Sequence, residues 1–208
     1  MPDLPTLLTF VGVVIGLFLI PGPAVLLTLG RTLSGGLRAG LLTGLGIALG
    51  DILHVTFSVL GLSAILMTSA LAFQVVKFAG VAYLIYLGIR ALLEKPHDIS
   101  VPQMSSADSR RAFQQGLFTE LLNPKTALFF LAFLPQFVHS ERGGIPAQLL
   151  TLGVIFVVMS ILYTSALALG AHQAGTWLTQ HPAVGRWQGK VVGSIYVLLG
   201  VRLALQQR

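Results

Sequence analysis

The chain has no cysteine and little charge, with 13 Lys and Arg and seven Asp and Glu in 208 residues. Without cysteine there is no disulfide, no thiolate nucleophile, no iron–sulfur cluster and no Cys-based zinc site. The shortage of charge excludes more. Soluble domains carry about a quarter of their residues charged; here the share is 10%, while 54% are hydrophobic and the mean hydropathy is +0.83. So few charges cannot coat a water-soluble globule of this size, so lipid must be the solvent for most of the chain. Disorder is excluded by the same arithmetic, because it needs low hydrophobicity and high net charge. The formal charge of +6 does not mark a nucleic-acid partner. Lys and Arg stand mostly singly or in pairs at the ends of apolar runs, as suits a headgroup surface, and no basic and aromatic cluster accompanies them.

Apolar stretches long enough to cross a bilayer, at least about 18 residues, run from Leu4 to Leu29, Ala39 to Met67, Phe113 to Val138 and Ile145 to Ala171. Two more, Phe73 to Leu93 and Val184 to Leu205, carry basic residues near their ends, where long side chains can snorkel to the interface. Barrel-type alternation is missing. The expected fold is therefore an all-α integral membrane protein of six transmembrane helices, forming one transmembrane domain over residues 1–208. The first stretch lacks a basic flank and is too long for a cleaved signal, so it is expected to stay in the mature protein. Alternating the loops puts Arg31, Arg38, Arg90, Lys95, Arg110, Arg111, Arg186 and Lys190 on one side, and Lys77, Arg142, Arg202 and Arg208 on the other. The excess marks the first side as cytoplasmic and leaves both termini outside.

The polar stretch 94–112 divides two halves, 4–93 and 113–205, that repeat one another. Lys77-x-x-Gly80-x-x-Tyr83 recurs as Lys190-x-x-Gly193-x-x-Tyr196, and Leu87-Gly88-Ile89-Arg90 as Leu199-Gly200-Val201-Arg202. Pro21-Gly22-Pro23 in the first helix aligns with Asn123-Pro124-Lys125 in the fourth. Three helices per half is an odd number, so the second copy enters the membrane upside down. Inverted repeats with matched helix breaks place their sites near the midplane, where interrupted helices expose backbone groups to a cavity.

Several residues are out of place in lipid. Pro21 and Pro23 donate no backbone hydrogen bond, so carbonyls near Phe18 and Leu19 lose their helical partners and something polar must satisfy them. Asp51 lies 12 residues from Ala39 and 16 from Met67, in mid-span, where a carboxylate costs roughly 2.5 to 3.5 kcal/mol. His54 shares its helical face with Gly44, Ile47 and Ser58, a stripe expected to face the bundle interior. Glycines 36, 40 and 44, and again 46 and 50, are spaced for close helix packing. Lys125 is too deep to snorkel and needs a partner. Asp51 suits it, since opposite charges about 4 Å apart attract by roughly 4 kcal/mol at an intermediate dielectric; a substrate carboxylate is the alternative. Glu120 is either a second acid in the site or an interfacial residue.

These residues, Pro21-Gly22-Pro23, Gly50-Asp51-x-x-His54, Tyr83-Leu84-x-Tyr86-Leu87-Gly88 and Asn123-Pro124-Lys125 with Phe130 to Pro135 following, closely resemble the LysE/RhtB family of bacterial amino-acid exporters. The resemblance covers essentially the whole chain. It implies a multi-pass exporter in the bacterial inner membrane, driven by the proton motive force, with a homodimer among its expected assemblies and no cofactor. The paucity of intramembrane acids argues for neutral amino acids, of the homoserine and threonine or leucine type. Pro21, Gly22, Pro23, Asn123, Pro124 and Lys125 would bind substrate, with Lys125 on its carboxylate. Asp51, His54 and Glu120 would couple protons. Divalent metal efflux is the competing reading, since Asp51 and His54 could face one cation, although the buried Lys125 would repel it. An intramembrane protease lacks its second aspartate, so no enzymatic activity is expected.

Overall fold

The computed structural model describes residues 2–62 and 109–180, with isolated helical positions 75, 78, 82, 86, 89 and 93 between them. Among the described residues every regular element is helical. Helix α1 spans Leu4–Leu19 and starts at Asp3, whose side chain accepts from the Thr6 amide at 3.1 Å, a standard N-cap bond. It stops because Pro21 drives the residue before it out of the helical region. Ile20 is extended (ψ 117°), and so is Gly22. Pro23 then opens α2, Pro23–Phe57, at the one helical position where a missing N–H costs nothing.

Sixteen residues of α1 reach only about 24 Å, short of the hydrocarbon thickness of about 30 Å, whereas the 35 of α2 would reach about 52 Å if straight. Gly36 resolves the mismatch. Its φ of 76° and ψ of 178° interrupt α2 in a region that suits glycine alone, and the chain doubles back there. A Cβ on Gly40 would fall 2.0 Å from the Thr32 hydroxyl, a meeting of residues that a straight helix would hold about 12 Å apart. Residues 23–35 therefore belong with α1, and 37–57 form the second limb. Gly36, expected as a packing residue, is the turn.

After α3, Ser109–Leu121, the chain breaks at Leu122 and Asn123 and resumes as α4, Pro124–Leu128. A π-helical turn, Phe129–Phe133, and a 3-10 turn, Leu134–Phe137, follow. The segments on either side of this break are bent by 43°. Helix α3 starts four residues ahead of the apolar stretch that announces it. Helix α5, Ile145–Gln180, is continuous. By length and composition α2 and α5 can each cross a membrane, and the bent α3–α4 pair passes the same test together, as a broken span or a re-entrant loop. Most of the stretch 73–93, all of 184–205, and the repeated Lys-x-x-Gly-x-x-Tyr segments lie outside the described residues. The isolated positions expose Val75, Phe78, Tyr86, Ile89 and Leu93.

The second limb of α2 is clasped on two sides by neighbours that approach through glycine. Toward α3, a Cβ on Gly46 would lie 2.1 Å from the Phe113 carbonyl oxygen, and one on Gly116 2.2 Å from that of Thr43. Toward α5, Gly40 meets Ala168, Gly44 meets Thr164, and Val55 fills the notch at Gly153. Small residues let helices come this close, which is how they associate when lipid removes the hydrophobic drive between them. The expected stripe of Gly44, Ile47, Asp51, His54 and Ser58 is buried. Leu150, Val154, Val158, Leu162 and Leu169 point outward from α5.

One end of the bundle is closed by aromatic packing. Phe10, Phe129, Phe130, Phe133, Phe137 and Phe156 form one buried cluster, with Phe130 edge-on to Phe156 at 4.8 Å. Beside it, buried Gln148 pins the connection into α5 by donating to the His139 and Gly143 carbonyls and accepting from the His139 amide. Arg142 pairs with Asp3 at 2.9 Å, which places the start of α1 at the same end. Hydrogen bonds from Thr6 and then Arg142 hold the Asp3 carboxyl below the usual carboxylate range.

Gly46→Ala should force α2 from α3, with a loss of about 1 to 3 kcal/mol in detergent thermal unfolding. Gly12→Ala, in mid-α1 with nothing within 4 Å of the added carbon, should not destabilise, and helix propensity favours it by up to about 1 kcal/mol. Equal stability of the two variants would contradict the close packing.

Candidate functional site

The two helix breaks leave carbonyls that hydrocarbon cannot satisfy, and each finds a side chain from elsewhere in the chain. At the end of α1, Lys125 Nζ donates to the Leu17 and Ile20 carbonyls, both at 3.2 Å. Gly22 makes room for it: a Cβ there would sit 3.2 Å from Nζ and 3.6 Å from Cε. At the end of α3, the Glu120 carbonyl accepts from the Asn123 amide at 3.0 Å and meets His54 Nε2 at 3.0 Å. A carbonyl only accepts, so Nε2 carries the hydrogen. The imidazole is held by stacking on Phe130, 5.9 Å between centroids and 9° from parallel.

Each member of Asn123-Pro124-Lys125 has a separate task. Asn123 Oδ1 caps α4 by accepting from the Lys125 amide at 3.1 Å, and its Nδ2 donates to the Glu120 carboxylate at 3.2 and 3.4 Å. Pro124 opens α4 at a position that needs no donor. Lys125 crosses to the other break. The Thr126 hydroxyl completes the shell of Glu120 by donating to Oε1.

Between these breaks, α2 and α5 lies a cavity with an empty volume of about 390 Å³ including its open mouth. Asp51, Glu120, Asn123 and Lys125 supply its charged and amide groups, and Ser160, Tyr163 and Thr164 of α5 its hydroxyls. Phe18 and Tyr163 stack on one another at 5.2 Å and 17° to form an apolar wall. Asp51 is 1% exposed, and neither of its carboxylate oxygens has a hydrogen-bond partner. Glu120, Ser160 and Lys125 are near enough to act on it.

Four of the nine expected site residues, Asp51, Glu120, Asn123 and Lys125, thus line one cavity. Gly22 lies behind the Lys125 ammonium. His54 stands outside the lining, against the backbone of Glu120. Pro21, Pro23 and Pro124 are exposed and shape the breaks instead of walling the cavity. Lys125 does not form the expected direct ion pair with Asp51, because helix-end carbonyls occupy it. Sequence reasoning missed Ser160, Tyr163 and Thr164, although their i, i+3, i+4 spacing in an apolar span marks one polar face. It also left Arg31 in a loop. Arg31 is 5% exposed on α2, and its Nε donates to Gln115 Oε1 of α3 at 2.8 Å.

A cavity lined by opposite charges, set inside an apolar helical bundle and bounded by two interrupted helices, is the arrangement of a membrane transporter. Residues 15–207 match the LysE type translocator family, and the chain belongs to that family. It is similar to the homoserine/homoserine lactone efflux protein of Salmonella typhimurium, 33% identical over 195 residues and 90% of each chain. An uncharacterized membrane protein of Bacillus subtilis is 30% identical over 96% of this chain and 99% of its own. No solved structure matches the chain.

Lys125→Met should leave the Ile20 carbonyl unpaired, the Leu17 carbonyl keeping the Ile20 amide at 3.3 Å, and cost about 1 to 3 kcal/mol of stability. His54→Phe should cost less, because the Glu120 carbonyl keeps the Asn123 amide. Thermal unfolding of the purified variants checks the order, and the reverse order would refute it.

Proposed function

We propose that this translocator exports neutral amino acids across the bacterial inner membrane in exchange for protons. The observation that carries the reading is the unpartnered carboxylate of Asp51, buried in the same cavity as Lys125. A carboxylate so placed is stable only when something else neutralises it. A proton and a substrate can each do so, but not at once, and that exclusion is what exchange requires. Asn123 and Lys125 at the second break face the substrate in the cavity, Gly22 makes the space for the Lys125 ammonium, and Pro21, Pro23 and Pro124 keep the two helices interrupted. Two of the three Lys125 N–H donors are engaged by carbonyls, and the third is available to a substrate carboxylate. Asp51 carries the proton, with Glu120 as the neighbouring acid and His54 steadying the Glu120 backbone.

Hydroxyls of Ser160 and Thr164 beside Asp51 support a small substrate of the homoserine or threonine type, and the efflux activity named for the Salmonella relative supports the same class. The alternation of loops supports six spans in two inverted halves, with both termini outside. Rocking of the halves about the cavity would give alternating access.

In proteoliposomes, an imposed pH gradient should drive uptake of labelled homoserine, threonine or leucine in step with proton flux. Asp51→Asn should abolish the dependence on the gradient, and undiminished proton coupling in that variant would remove Asp51 from the proton path. The natural absence of cysteine makes orientation directly testable. Single cysteines placed at Pro2 and at Arg208 should both react with an impermeant maleimide on intact cells, and protection of either would overturn the even number of spans or their sense.

A further inference from the structure

The lining of the cavity is divided by chemistry. Asp51, Asn123 and Lys125 present charged and amide groups, whereas Phe18 at the end of α1, Ala24 and Val25 in the first turn of α2, and Ile47 present only hydrocarbon. The ring of Tyr163 joins the apolar part, since it stacks on Phe18 at 5.2 Å and 17°. A charged head held against these residues would stay unpaired, so the ends of an amino acid go to the polar part and its side chain to the apolar part. The ring pair is braced from behind. Phe156 meets Phe18 edge-on at 5.2 Å and 64°, and Phe156 is itself 1% exposed and packed against Phe129 and Phe130. Close-packed interiors yield little, so Phe18 has no room to retreat into the aromatic cluster for a larger guest.

We propose that Phe18 and Tyr163 are specificity-determining residues whose stacked rings set the largest side chain the site accepts, and that Ala24 keeps open the space they bound. The inference rests on the amino-acid reading above and deepens it by naming the residues that measure the side chain. Aromatic rings suit this task, because each turns about only two side-chain torsions and the stack holds both rings together. Ala24 has the smallest side chain in the apolar part, and every carbon added there is space taken from the guest. Discrimination of this kind works by shape. It uses the Tyr163 ring and not its hydroxyl, which separates it from recognition by hydrogen bonds. The polar groups then orient every amino acid alike, and the choice among side chains is made at the aromatic wall.

The test uses the full chain in lipid nanodiscs and measures affinity for L-threonine, L-leucine, L-phenylalanine and L-tryptophan, which share one head and differ in side chain. In the unaltered protein affinity should fall at least about tenfold from leucine to phenylalanine, the scale on which an apolar pocket rejects a misfitting side chain. Tyr163→Ala should raise the phenylalanine-to-threonine affinity ratio by about tenfold or more, and Tyr163→Phe, which keeps the ring, should hold the original ratio. Ala24→Leu should lower the leucine-to-threonine ratio by a similar factor. Each ratio is taken within one variant, so a general loss of affinity cancels, and Ala24→Leu decides the matter from α2 if Tyr163→Ala fails to fold. An unmoved ratio in either Tyr163→Ala or Ala24→Leu would overturn the inference, as would a shift in Tyr163→Phe as large as that in Tyr163→Ala. Tryptophan binding as tightly as threonine to the unaltered protein would overturn it also. In each of these cases the amino-acid reading stands, whereas both fall together if none of the four amino acids binds.

Discussion

A backbone carbonyl inside a bilayer has no water to turn to, and the rest of this structure follows from how the freed carbonyls of two broken helices are satisfied. At the first break the donor is an ammonium from the second, and Lys125 thereby joins two segments more than a hundred residues apart in sequence. At the second break the donor is an imidazole from α2, itself held by an aromatic ring. Each repair brings a polar head into the apolar interior. The site residues Lys125 and Glu120 are thus held in place by the same bonds that make the breaks tolerable.

Glycine makes these reaches short enough. At Gly46 and Gly116 the backbones of α2 and α3 come within the space of a methyl group, so Asp51 and His54 on one helix lie against the end of the other. Gly50 extends the contact to the Glu120 side chain, where a Cβ would fall 2.8 Å from Glu120 Cβ. Larger residues on these faces would push the helices apart and open the polar core to lipid. Along this interface close packing is the condition for the electrostatics. The aromatic cluster closes the other end with side chains that need no polar partner, and buried Gln148 beside it is satisfied by the backbone of the connection into α5.

Asp51 is the exception to this economy of partners. Every other charged group lining the cavity has hydrogen bonds from the protein, and Asp51 has none. A buried carboxylate left in that state is costly in any fold and more so in a membrane. A proton or a cationic group would complete it. The family to which the chain belongs moves solutes across membranes, and that setting gives such a vacancy a use.

Composition alone pointed to the solvent, and apolar length located the helices α1, α2, the α3–α4 pair and α5, because the cost of burying charge in lipid applies residue by residue and needs no knowledge of neighbours. The two breaks were legible for a similar reason: proline acts on its own backbone and on the residue before it. Asp51 and Lys125 were legible as misplaced charges. Their partners were not, because a side chain's partner depends on which helices meet. The assumption that opposite charges would pair ignored the carbonyls that compete for an ammonium at a helix end. The turn at Gly36 was hidden because glycine at helical spacing serves packing and reversal equally well, and only the backbone angles separate the two. The hydroxyls of α5 and the buried Arg31 belonged to the site and the core through contacts between distant segments. Those contacts exist only once α2 has folded back and lodged between α3 and α5, so tertiary structure alone could decide them.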